Sequence, residues 1–291
     1  MIETLVAELA QFEPGRVDGN LDLIIERLGA DGDGSPRLLV FPELALSGFP
    51  VHDRVPAERV GDSPRLARIE RAAVAGGAHA VVGFAEAGPD GTVFNSAAVF
   101  GPRGLLAVVR KRHLPGLEAR WFAAGGPPAV INTELGVLGV AICYDAWFPE
   151  YVKAQAVQGA EIIVNINSIW AGGSAGGIGD SAAKRRYWRV LPVARALDCQ
   201  TYLLACNGCG RHDFGAPTGR WRRMGGSRIV DPAGAVLATA ASGPATVTAV
   251  LTAAELDRAR KSIHLLADSE PAGPGAATRR DERHDDSAAH A

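Results

Sequence analysis

The sequence predicts an α/β protein, on three observations. Short apolar runs of strand length recur, among them Leu38–Phe41, Ala80–Ala85, Val137–Ile142 and Thr201–Ala205. Longer stretches with helical spacing separate several of them, as at Leu21–Leu28, Pro64–Ala75 and Ala182–Leu197. No shift of composition marks a linker before the last apolar strand, so one domain is expected over residues 1–267.

In order, Thr4–Phe12 reads as a first strand, and Leu21–Leu28 as an amphipathic helix that runs out at Gly29 and the Asp31-Gly32-Asp33-Gly34 loop. Leu38–Phe41 is a short buried strand that ends in Pro42-Glu43. Pro64–Ala75 opens on a proline, which suits a first helical position. Ala80–Ala85, Phe94–Phe100 and Leu105–Lys111 are three strands in close succession, joined through the turns at Pro89-Asp90-Gly91 and Gly101–Gly104. Val137–Ile142 is an apolar strand that Cys143 closes, and Glu150–Gln158 is a helix ended by Gly159. Glu161–Asn167, Thr201–Ala205, the strand-turn-strand of Ser227–Leu237 and Ala245–Leu251 complete the strands, with Ala182–Leu197 a helix despite Pro192. From Asp268 to Ala291 there is no Leu, Ile, Val, Met or aromatic residue, so a disordered tail is expected over 268–291.

Composition excludes several function classes. With 30 Lys+Arg against 32 Asp+Glu and no basic block, nucleic acid is not an expected partner. No run approaches the roughly 18 apolar residues that span a bilayer, and the first residues lack the pattern of a signal peptide, so a cytoplasmic protein without membrane contact is expected. Four cysteines are too few for a disulfide scaffold in a chain of 291 residues. The glycines of Trp170–Gly179 do not make a phosphate loop, because Ile178 stands where a lysine must reach the phosphate; a flexible loop near a cleft is the reading taken. No cofactor fingerprint is read elsewhere.

Four segments carry chemistry. Phe41-Pro42-Glu43 places a carboxylate just beyond an apolar strand. Arg110-Lys111-Arg112-His113 is a solvated strand end, a small anion site, or a place where one lysine turns inward. Glu118 stands close to Trp121 and Phe122, which can shelter it. Cys143 sits at a strand-to-helix turn, with Pro149 opening the helix; unpaired amides there favour thiolate over thiol.

In that order and chemistry the set resembles the carbon-nitrogen hydrolase family, also called the nitrilase superfamily, over about residues 2–255. The segments Ala194–Gln200 and Gly226–Pro232 are similar to that family's downstream stretches. The resemblance implies a four-layer αββα sandwich with the site at one end of two sheets, and association into homodimers or larger homo-oligomers. It implies Cys143 as nucleophile, Glu43 as general base, Lys111 as the cation beside the tetrahedral intermediate, and Glu118 as the glutamate that positions lysine and substrate. Tyr144, through its backbone amide, and the rings of Trp147 and Trp170 are the expected substrate contacts.

Tyr144-Asp145 after the cysteine resembles the amidase and carbamoyl-amidase branches, whereas nitrilases of the familiar type have Trp-Glu there. Hydrolysis of a small carboxamide or N-carbamoyl amine through a cysteine thioester is therefore expected, with nitrile hydrolysis the alternative. Trp147 replaces the arginine that many omega-amidase relatives carry. A rival from another class is a zinc or thiol protein built on Cys199, Cys206, Cys209 and His212.

Overall fold

A computed structural model describes residues 1–30, 34–50, 55–173, 181–216, 218–266 and 268–269. The chain begins β1 (Thr4–Gln11), α1 (Val17–Gly29), β2 (Arg37–Val40), α2 (Pro64–Ala75), β3 (His79–Ala87), β4 (Val93–Gly101) and β5 (Gly104–Arg110). It continues with β6 (Val130–Thr133), β7 (Gly136–Ile142), α3 (Pro149–Val157), β8 (Ile162–Asn167), β9 (Trp170–Gly173), α4 (Ser181–Cys199) and β10 (Tyr202–Asn207). The described elements end with β11 (Arg211–Asp213), β12 (Arg220–Arg223), β13 (Arg228–Val230), β14 (Val236–Thr239), β15 (Ala245–Thr252) and α5 (Ala253–Ser262).

These strands form two six-stranded sheets, in the orders β15-β1-β2-β3-β4-β5 and β14-β13-β10-β8-β7-β6, with a small sheet β11-β12-β9 beside them. Side-chain alternation stacks the layers. Leu38 and Val40 of β2 point into the core between the two large sheets, whereas Leu39 and the following Phe41 point the other way, onto Leu21 and Ile24 of α1 and Leu66 and Ile69 of α2. In the second sheet β8 is buried from Ile162 to Asn167, because one face meets the first sheet and the other is covered by α3 and α4. Cys206 of β10 lies in the seam, its thiol directed at the carbonyls of Ala10 and Val40. The result is the αββα sandwich of the nitrilase fold.

Local chemistry explains several boundaries. Ser63 caps α2 by accepting the Leu66 amide at 3.1 Å, and Pro64 supplies the first turn. Thr252 caps α5 by accepting the Glu255 amide. The elements absent from the sequence reading are those with little apolar signal: β6, β9, β11, β12 and α5. Trp170–Gly173, taken for part of a flexible loop, pairs with β12, and that pairing overrides the weak strand preference of glycine. The Arg-His-Asp and Arg-Trp-Arg-Arg runs of β11 and β12 show no apolar alternation over more than one residue. Residues 174–180 of the glycine stretch, and the expected tail from residue 270 onward, lie outside the described residues.

Candidate active site

The parallel strands β2 and β3 of one sheet and β7, β8 and β10 of the other, with the antiparallel strands that flank them, direct several chain segments to one end of the sandwich. Glu43 leaves the end of β2 and is fully buried. Its place depends on Gly83 in the neighbouring strand, where a methyl group would come within 2.4 Å of the Pro42 carbonyl oxygen and 2.8 Å of the Glu43 Cα. Leu44, the next residue, takes a left-handed backbone with φ 50°, which turns the chain sharply after the carboxylate.

Lys111 leaves the end of β5. Its amide donates to the Asn95 carbonyl at 2.8 Å and its carbonyl accepts from Gly125 at 2.7 Å, so the backbone is held from both sides while the side chain turns inward without exposure. Of the three readings of the basic cluster, the inward lysine is the one observed. Arg110 instead pairs with Glu86 and lies 4.0 Å from the centre of the Phe94 ring, and Arg112 donates to the Gly125 carbonyl. The Lys111 ammonium donates to Glu43 Oε1 at 2.7 Å and to both oxygens of Glu118, at 2.9 and 2.7 Å. Glu118 belongs to a short 3-10 turn over Gly116–Arg120. Asn95 of β4 donates to Glu43 at 2.8 Å, tying the lysine's strand partner to the first carboxylate.

One cation between two buried carboxylates sets the charge of the site. Burial works against the Lys111 charge, but Glu118 and Glu43 outweigh it and hold the ammonium well above the ordinary lysine range. Burial lifts Glu118 to about 7, with the charge of Lys111 opposing and that of Glu43 adding to the rise. A single ammonium compensates one carboxylate fully, and the second keeps its proton longer.

Cys143 begins a 3-10 turn over Cys143–Trp147 at the end of β7, with φ 49°. A left-handed backbone at a residue with a side chain costs about 1–3 kcal/mol and is tolerated here because neighbouring bonds fix it. Asp145, fully buried, supplies them: it accepts from the amides of Ile142, Arg112 and His113 and bonds the His113 ring at 2.8 Å. One carboxylate thus ties the cysteine turn to the segment that follows Lys111. Burial first, then the negative charge of Glu43, holds the Cys143 thiol well above its ordinary value; Lys111 and the Ser168 amide pull weakly the other way. The expectation that helix amides favour thiolate is therefore corrected: desolvation and two nearby carboxylates outweigh them, and the resting group is a thiol.

Cys143, Glu118 and Ser168 open onto a cavity of about 330 Å³. Tyr144, Trp147 and Trp170, the expected substrate contacts, line it, together with Phe49 and Trp221. Tyr187 stacks on Trp147 from outside, with ring centres 4.7 Å apart. Asn95, Ser168 and Gly83 were not singled out from the sequence, and Asp145 was read there only as a mark of the amidase branches, without its bonding role; Asn95-Ser96, a polar pair inside an apolar strand, carried a signal there.

The zinc or thiol alternative is not assembled. Cys206 points into the seam between the sheets, Cys199 is the buried last residue of α4, and the His212 ring packs edge-on against Phe214. Among the described residues no three His, Cys, Asp or Glu side chains converge as a metal would need, and all four cysteines are free.

Comparison with known proteins agrees with this architecture. A protein from Mycobacterium tuberculosis described as a hydrolase is 29% identical over 270 residues, 89% of this chain and 93% of its own length. A CN-hydrolase superfamily protein from Xanthomonas campestris shares the fold with a TM-score of 0.79 at 23% identity, covering 94% of this chain and all of that one. An amidase from Nesterenkonia sp. AN1 is 27% identical with a TM-score of 0.70, covering 89% of this chain and 98% of its own; in the solved form a Michael addition has joined acrylamide to its active-site cysteine. The sequence model of the carbon-nitrogen hydrolase family matches residues 9–261. The chain belongs to the carbon-nitrogen hydrolase family. It is accordingly an enzyme for C–N bonds other than peptide bonds.

Proposed function

We propose that the protein is an amidase that cleaves a small carboxamide or N-carbamoyl amine through a thioester on Cys143. The observation that carries the reading is the Lys111 ammonium held between Glu43 and Glu118 beside a cavity-facing cysteine. The Cys143 thiol adds to the substrate carbonyl while Glu43 takes its proton, since a thiol held above its ordinary pKa does not ionise first. The S–C bond forms and the carbonyl oxygen becomes an oxyanion. Lys111, itself without exposure, and the Tyr144 amide offer it positive charge. Glu43 then returns the proton to the departing nitrogen, the C–N bond breaks, and ammonia or an amine leaves the thioester. Water, deprotonated by Glu43, attacks in the second half; the S–C bond breaks and the thiol recovers its proton. Glu118 keeps Lys111 in place throughout.

Support for amide over nitrile comes from Tyr144-Asp145 after the cysteine and from the amidase among the relatives. One catalytic domain over residues 1–267, action inside the cell and pairing of subunits belong to the same proposal; Tyr187 and Val190, exposed on α4, are apolar surface that a second copy would cover. A panel of carboxamides, N-carbamoyl compounds and nitriles, with ammonia release as readout and Cys143→Ala as control, tests it. Turnover confined to amide-like members and a silent variant is the expected result; nitriles as the sole substrates would overturn it.

A further inference from the structure

Among the described residues, the largest side chain buried without exposure is Arg223 of β12, and the steps carried by Cys143, Glu43 and Lys111 do not touch it. A buried cation costs several kcal/mol unless it is well bonded, whereas a methionine would fill the same space without that cost. Arg223 Nε donates to Ser168 Oγ at 2.6 Å, and Nη1 and Nη2 have no hydrogen-bond partner among the described residues. Its guanidinium lies 4.3 Å from the centre of the Trp170 ring and 5.8 Å from that of Phe49. Burial lowers its pKa to about 10, with Glu13, Glu43 and Cys209 acting the other way, so it stays charged at neutral pH.

The backbone aims this side chain at Ser168. Trp221 and Arg223 are buried while Arg220 and Arg222 are exposed, the alternation of a strand covered on one face. The register of β12 against β9 shifts between Arg222 and Arg223, an irregularity of the kind that re-aims a side chain. The Arg223 amide donates to the Gly210 carbonyl and the Met224 amide to the Ile169 carbonyl, each at 2.9 Å. Ser168 and Ile169 join β8 to β9 and line the cavity beside Cys143, and the Ile169 amide donates to Asn207 Oδ1 at 2.9 Å. Burial, then Glu43 and Glu118, raise the Cys143 thiol, while Lys111 and the Ser168 amide, which is turned to the sulfur, lower it. Arg223 thus grips, from behind the wall, the residue whose amide meets the nucleophile.

We propose that Arg223 is a positioning residue for the thiol: its bond to the Ser168 hydroxyl holds the Ser168 amide against the Cys143 sulfur. An amide fixed there donates to the sulfur as negative charge develops on it and needs no rearrangement to do so. With the bond lost, Ser168 is free to rotate and the sulfur loses a donor. The proposal rests on Cys143 as the nucleophile and is independent of which C–N bond is cleaved.

The experiment measures alkylation of Cys143 by iodoacetamide, a neutral reagent, at pH 8, by peptide mass spectrometry, beside kcat/KM on an amide that wild type hydrolyses. The variants are Arg223→Met, Arg223→Lys, Ser168→Ala and the Arg223→Met/Ser168→Ala double. Arg223→Met and Ser168→Ala should each slow alkylation roughly 3- to 10-fold, as a thiol pKa raised by about 0.5–1 does, and lower kcat/KM in step. The double variant should be no more than about twofold slower than Arg223→Met, because both changes cut one link. Arg223→Lys, with an ammonium that reaches the same hydroxyl, should keep most of the rate. Additive losses in the double variant, or alkylation unchanged in Ser168→Ala, overturn the proposal. A lowered melting temperature in Arg223→Met with unchanged alkylation makes Arg223 a packing residue and overturns it too. Ser168→Ala removes one atom, so it decides by itself where Arg223→Met does not fold. Alkylation that follows the expected pattern in a protein that turns over no amide sustains the positioning role and overturns the amidase reading alone.

Discussion

Glu43 gives one carboxylate oxygen to the Lys111 ammonium, 2.7 Å away, while its other oxygen has no hydrogen-bond partner among the described residues. A buried carboxylate held on one side and open on the other is arranged to receive a proton. Glu43→Gln keeps the size of the side chain and removes that capacity. Its kcat/KM on any amide that wild type hydrolyses should fall by roughly two to four powers of ten, with the far-ultraviolet spectrum unchanged. A loss of less than about threefold would remove Glu43 from the proton-transfer role.

Cys143 faces the cavity, whereas Cys199 and Cys206 have no exposure and Cys209 almost none. Iodoacetamide should modify Cys143 first, as read by peptide mass spectrometry, and equal labelling of all four would count against the site. Because burial and Glu43 hold the thiol above its ordinary value, the alkylation rate should go on rising above neutral pH and show no plateau on the acid side.

Glu118 links stability to pH. Burial raises its carboxyl from 4.5 to about 7, so the folded chain binds that proton more tightly than the unfolded chain does. The stabilisation is complete below the unfolded value and is lost as pH rises through about 7. Wild type should therefore lose stability relative to Glu118→Gln, which cannot ionise, on going from about pH 5 to about pH 8, by something on the order of 2 kcal/mol. Urea unfolding at the two pH values measures it, and a difference of opposite sign would mean that the Lys111 charge dominates over burial.

Gly83 is where the backbone of β3 meets the Glu43 segment. A methyl group there would lie 2.6 Å from the Leu44 amide nitrogen, and its nearest neighbours are backbone atoms that do not swing aside. Gly83→Ala should lower stability by about 1–3 kcal/mol and depress activity further than that loss accounts for, because Glu43 moves. Thermal melts beside initial rates separate the two effects, and unaltered kinetics would show that the loop absorbs the strain elsewhere.

The sequence by itself determined the α/β class, the long buried strands and the order of the four reactive segments. Apolar periodicity of runs such as Val137–Ile142 is a local property, and so is a reactive side chain placed at the end of a strand. Tertiary structure alone decided what those side chains touch. Lys111 looks like its neighbours Arg110 and Arg112 in sequence, and only the pairing of β4 with β5 and the bonds from Asn95 and Gly125 turn it inward. Asp145 reads as a residue close after a cysteine, yet it joins two segments more than thirty positions apart through its bonds to the Arg112 amide, the His113 amide and the His113 ring. The strands β9, β11 and β12 have almost no apolar pattern; β9 and β12 exist because they pair across a long stretch of chain, and β11 joins them through β12. The same pairing places Arg223 beneath Trp170. Hydrogen-bond partners and desolvation depend on what surrounds a residue in space, so the charges of the cavity wall appear only once the chain has folded.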